Sequence, residues 1–178
     1  MSYAEIKRSP EQVATDLAQL RSMNWAEVWA GDGNSPTSKD WAESLGWRLA
    51  SLDPDNNLTI ALLSGGSLTL FRHQHSTRFE QALAVAWKLR ARQANENRAV
   101  VEQALAAWTN YYQAAVRALG SPEHEPRADV VGDTGPSALF KPTGSSRALF
   151  ELKVNLASSM LDGVRPGSAS IRVLIHPA

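Results

Sequence analysis

The chain contains no cysteine. That absence removes disulfides, thiol nucleophiles and cysteine-ligated zinc together, and it suits a reducing compartment such as the cytoplasm. Long hydrophobic runs are missing too: no apolar stretch approaches the ~20 residues needed to cross a bilayer. The opening segment, Met1-Ser2-Tyr3-Ala4-Glu5-Ile6-Lys7-Arg8, is polar and mixed in charge, without the apolar centre of an export signal. A cytoplasmic protein with no membrane partner is the expectation. Nor does one sign of charge prevail, because 18 basic residues balance 18 acidic ones. A neutral total gives no general attraction for a nucleic-acid backbone. The balance is uneven along the chain. Residues 1–57 carry five basic and nine acidic groups, about −4, whereas residues 72–98 carry six basic and two acidic, about +4.

Proline and glycine are absent from Thr77 to Leu119, and this is the strongest helical signal present. Val101, Leu105, Trp108, Tyr112, Ala115 and Leu119 recur at steps of three and four, one buried face of a helix. An unbroken helix over residues 78–119 would measure ~63 Å, longer than a domain of 178 residues is wide. A bend near Asn95 or Asn97 is therefore expected.

Earlier, Ser9, Pro10 and Gln12 form a capping box ahead of Val13, Leu17 and Leu20. Gly31 to Pro36 reads as a loop. A second helix carries Trp41 and Leu45 inward and stops at Gly46, a residue suited to the left-handed position past a helix end. Three strand candidates follow: Trp47–Leu52, Leu58–Leu63 and Ser67–His73, joined by the turns Asp53–Asn57 and Gly65-Gly66. Beyond a linker with three prolines at 121–136, possible strands occur at 129–131 and 137–141. Ala148, Phe150, Leu152, Val154 and Leu156 then alternate with polar positions, as do Ala169, Ile171, Val173 and Ile175, the period of a sheet with one wet face.

The pattern predicts an α+β protein: N-terminal helices with a small antiparallel sheet, a long bent central helix, and a second antiparallel sheet. One compact domain over 1–178 is expected, divisible into intimate halves at 1–76 and 77–178. Helix followed by three strands occurs in both halves, which suggests a duplicated unit.

Chemistry is sparse. His73-Gln74-His75 could begin a metal site, with His124, Glu123 and Glu125 more remote, but a ligand set at usable spacing is lacking. Asp53 to Asn57 resembles the start of a calcium loop, yet Leu58 and Ser64 stand where glycine and a bidentate glutamate are required. Ser64-Gly65-Gly66-Ser67 has no phosphate-loop lysine and reads as a flexible hairpin. No nucleophile elbow is present. Arg78, Lys88, Arg90, Arg92 and Arg98 could meet phosphate, but no stacking aromatics are interleaved with them. The expectation is a protein that is not an enzyme, uses no cofactor or metal, and does not bind nucleic acid.

Six tryptophans occur by Trp108 and none after it. So many indoles, each with an N–H to satisfy, suit either a tryptophan-rich core or a surface that a partner covers. Both readings stand at this point. On the second, Trp25, Trp29, Asp32, Asn34, Asp53 and Asp55 form the candidate partner-binding set, with Trp29 beside the 31–36 loop the most exposed.

Leu20…Trp25, Trp41-Ala42-Glu43-Ser44-Leu45-Gly46-Trp47 and Ala118-Leu119-Gly120-Ser121-Pro122 ahead of an antiparallel sheet resemble small actinobacterial proteins, some of them immunity factors for polymorphic or type VII-secreted toxins, NAD-glycohydrolase toxins included. The resemblance implies a non-catalytic protein that occludes the active site of a cognate toxin. It transfers no site residue. A cytoplasmic chaperone or adaptor for a secreted protein is the alternative, and an enzyme whose site is assembled from distant residues is a third.

Overall fold

The computed structural model describes residues 3–31, 38–52, 57–72, 78–124, 126, 134–141, 147–157 and 159–178. Strand β1 (Tyr3–Lys7) leads into α1 (Pro10–Arg21), α2 (Trp25–Ala30) and α3 (Ser38–Ser44). Strands β2 (Arg48–Leu52), β3 (Leu58–Ala61), β4 (Ser67–Arg72) and β5 (Phe79–Arg90) follow, then α4 (Asn97–Leu119), β6 (Thr134–Phe140), β7 (Ala148–Leu156), α5 (Ser159–Asp162) and β8 (Ser168–Pro177). The class is α+β, as the sequence pattern indicates.

Local signals behave as their chemistry requires. Ser9 and Gln12 complete the reciprocal cap of α1, with Pro10 at its start. Gly46 and Gly120 adopt φ of +75° and +91° where α3 and α4 end, conformations that cost a side chain about 1 kcal/mol or more.

Two expectations are corrected. Residues 79–90 are a 12-residue strand, not the first half of a helix; α4 begins only at Asn97, after a 3₁₀ turn at Ala94–Glu96. The alanines of this segment favour helix locally, but pairing on both sides overrides that preference. The two expected sheets are also one, an eight-stranded antiparallel sheet in the order β2-β3-β4-β5-β8-β7-β6, with β1 added to β5. Strand β5 is the joint: Ala82 to Arg90 pair with β8 from Ile175 to Ser168.

All of the long helices lie on one face. Leu58, Ile60, Leu68, Leu70, Ile171, Val173, Phe150 and Val154 are buried beneath them. Val13, Leu17 and Leu20 of α1 and Val100, Ala104, Trp108 and Tyr111 of α4 meet this layer. Among the described residues no helix packs on the second face. There Thr59, Thr69, Leu83, Val85, Arg172, Lys153 and Glu151 are all half-exposed.

Candidate interaction surface

The second face is interrupted at one place. Along the same edge of β5, β1 pairs with Trp87 to Arg90, while β4 pairs with Phe79 to Leu83. Neither strand reaches Ala84 and Val85 on that side, so the sheet forks there. The fork opens a depression of about 450 Å³ whose lining includes Ile6, Lys7, Gln12, Ser67, Leu83 and Val85. That volume falls in the range of a small ligand or a few inserted side chains.

Arg8 braces the fork. Its backbone N–H donates to the Ala86 carbonyl at 3.1 Å, extending β1 by one residue. Its guanidinium reaches across to the β3–β4 turn and donates to the Ser64 carbonyl at 3.3 Å and to the Ser64 hydroxyl. Asp16 of α1 stands 2.8 Å from the same nitrogen, and the two side chains are 9% and 13% exposed for Asp16 and Arg8. The Ser64 hydroxyl donates to Asp16 Oδ1 at 2.5 Å, closing a three-membered charge-assisted network. Arg8 Nε is buried and has no hydrogen-bond partner among the described residues.

Gly66 is required beside this network. A Cβ there would lie 1.7 Å from Arg8 Nη1 and 2.5 Å from Cζ, so only glycine admits the guanidinium in its present position. Gln19 Oε1 accepts the Leu63 N–H at 3.2 Å. The turn is therefore tied to α1 from two sides, while the Leu63 side chain between the ties is 81% exposed. The hairpin read as flexible from Ser64-Gly65-Gly66-Ser67 is hydrogen-bonded to α1 at Leu63 and Ser64 and forms one wall of the depression.

Tyr111 of α4 completes the brace by donating its phenol to the Arg8 carbonyl. Burial raises the phenol's pKa above its ordinary value, the Arg8 charge acts against the rise, and Glu11 adds to it.

Beyond Val85 the second face carries a row of charge. Val85, Arg172 and Lys153 are successive cross-strand partners on β5, β8 and β7. Arg172 Nε donates to Ser170 Oγ at 2.8 Å. Burial lowers the pKa of this guanidinium below its usual value. Lys153 Nζ lies 3.9 Å from Glu151 Oε2, an oxygen that His176 Nε2 also approaches at 3.7 Å.

Of the expected contact set, Trp25 and Trp29 lie among the described residues. Trp25 is fully buried, its Nε1 donating to the Leu20 carbonyl at 2.7 Å, with Trp29, Trp47 and Phe150 packed around its ring. It belongs to the core because α2 turns it inward against β7. Trp29 is half-buried, stacked on Trp25 at 5.0 Å and donating to the Arg147 carbonyl at 3.0 Å. With Trp41 it is one of the two tryptophans that are not fully buried. Asp32, Asn34, Asp53 and Asp55 lie outside the described residues, as do His73, His75, Glu125 and the 129–131 segment. Among the described residues no group of three or more His, Cys, Asp or Glu could hold a metal ion, and no helix is long and apolar enough to cross a membrane. Sequence reading missed Arg8, Asp16 and Ser64, which are separated by up to 56 positions. The adjacent glycines at 65–66 were the one available sign of a close approach.

No family model, no curated protein and no solved structure matches this chain.

Proposed function

We propose that this chain is a non-catalytic protein-binding protein, an immunity-type factor that occludes the active site of a cognate toxin, and that its partner seats on the second face of the sheet. The observation that carries this is the forked face itself. A depression of about 450 Å³ with an aliphatic floor lies between walls that the Arg8–Asp16–Ser64 network holds rigid. Rigid walls favour binding because little ordering entropy is lost on contact. A sheet with helices on one face has the architecture of a two-layer fold, whose other face is free to take a third layer from another chain. The toxin as partner follows from the sequence resemblance.

The test is capture and inhibition. A tagged chain should retain a protein from its source cells, and the retained protein's activity should fall to zero at a one-to-one ratio. Leu83→Lys, placed on the floor of the depression and checked for folding by circular dichroism, should lose both effects. Equal capture by Leu83→Lys would remove the surface assignment. Turnover of a metabolite by the pure chain would end the non-catalytic reading.

A further inference from the structure

We infer that the partner segment received by this face presents a carboxylate about one strand spacing from an aliphatic side chain, the aliphatic group entering the fork between Ile6, Leu83 and Val85 and the carboxylate lying over Arg172 and Lys153. The inference rests on the protein-binding reading of the second face and specifies the chemistry of what binds there.

The first observation is an uncompensated charge. Arg172 sits in β8, an interior strand of the sheet, half-buried, with the Ser170 hydroxyl as its hydrogen-bond partner. Among the described residues no carboxylate pairs with it. A guanidinium presents five N–H donors, so one neutral bond to Nε leaves four on the terminal nitrogens. Burial disfavours its charged form, and the described residues offer no acid in return.

The second observation is the neighbour. Lys153 is the direct cross-strand partner of Arg172, and like charges placed opposite one another on a sheet are mutually repulsive. Glu151, the acid that approaches Lys153 among the described residues, is shared between Lys153 and His176 at 3.9 and 3.7 Å. Two adjacent cations on a sheet face, one of them partly desolvated, make a receptor for an anionic group that can bridge both.

The third observation is continuity. Val85 is the cross-strand partner of Arg172 and also part of the depression's floor. Neighbouring strands lie ~4.8 Å apart, so the apolar cleft and the cation pair form one continuous site. An acidic and an aliphatic side chain four positions apart on a helix have a matching separation of ~5–6 Å. An amphipathic acidic helix laid on the sheet face that no described helix covers fits the site in both shape and charge.

A synthetic helical peptide of 18 residues with leucine and glutamate four apart, and the same peptide with glutamine for glutamate, are the probes. Titrated into the full chain at low salt, the glutamate peptide should shift the amide resonances of Val85, Arg172 and Lys153. Its affinity should exceed that of the glutamine peptide at least tenfold, and the Arg172→Gln/Lys153→Gln double variant should erase the difference. Equal affinity for the two peptides, binding unaffected by the double variant, or no binding at all overturns the inference. So does displacement of the peptide by millimolar inorganic phosphate giving the same shifts, which would mark a free-anion site. Concentration-dependent dimerisation lost in the double variant would assign the face to a second copy of the chain and also overturns it. The parent reading fails separately. If Leu83→Lys abolishes capture of the native partner while the double variant does not, protein binding stands and the acidic specificity falls.

Discussion

Arg8 and Asp16 show how one buried ion pair can set the shape of a surface. Each charge is almost fully withdrawn from water, so neither tolerates loss of the other. Asp16→Ala should destabilise the fold by about 3 kcal/mol, the cost of stranding a buried guanidinium, as read by urea unfolding. Arg8→Met combined with Asp16→Leu should cost clearly less than the sum of the single changes. Additive losses would show that the two residues act independently. Tyr111 makes a prediction in pH. Its folded-state pKa is raised above the ordinary value of a phenol, so the contribution of the neutral phenol is complete below about pH 10. It is lost as pH climbs through the folded-state value, because the unfolded chain ionises first. Stability should therefore decline above pH 10, and Tyr111→Phe should flatten that decline while costing about 1 kcal/mol at neutral pH through the lost hydrogen bond. An unchanged slope in Tyr111→Phe would assign the alkaline loss to other groups.

At the scale of elements, β7 was legible because its residues alternate strictly between a buried and a half-exposed face, and β8 because Ala169, Ile171, Val173 and Ile175 recur at every second position, although Ser170 and Leu174 between them are buried as well. β5 was not. Ala82, Ala86 and Leu89 face the helices while Leu83 and Val85 lie on the second face, so apolar residues occur on both sides and the period of two vanishes. Its alanines then imitate a helix continuous with α4. The short polar strand β1 left no periodic trace either, since its order comes from pairing with β5. The site was hidden for the same reason: Lys153 and Arg172 can be placed on wet faces from sequence, but only the register of β7 against β8 makes them neighbours. The β3–β4 hairpin was visible as a turn, and its attachment to α1 was not. Gly66→Ala tests that attachment. Its Cβ would push Arg8 off Ser64 and Asp16, an overpacking cost of about 1–3 kcal/mol. In an Arg8→Ala background the same change should cost almost nothing. A full cost in that background would mean that the backbone of the turn, not the guanidinium, demands glycine.

For the whole molecule the decisive element is β5, which belongs to the second half by sequence and to both halves by pairing. Its first residues bond to β4 and its remainder to β8, while α1 of the first half packs beside α4 of the second and Arg21 Nη1 donates to the Ala118 carbonyl at 3.2 Å. Neither half can bury its own apolar face alone. Without residues 1–76, the edge of β5 toward β1 and β4 would lose its partners, and Ala84, Ala86 and Val173 would lose the cover of Val13, Leu17 and Leu20. Unfolding should therefore be a single cooperative event. The tryptophans make this measurable, because all six lie between Trp25 and Trp108 and report mainly on the helices and the first strands. The far-ultraviolet signal includes the C-terminal strands β6, β7 and β8. In urea the two probes should give one coincident transition, with a slope of about 1–3 kcal/mol per molar, and residues 77–178 expressed alone should show no cooperative transition. Separate midpoints for the two signals, or a folded 77–178 fragment, would mean that the halves are independent domains. In that event the fork between β1 and β4 would be a junction between domains, and the rigidity argued for its walls would fail with it.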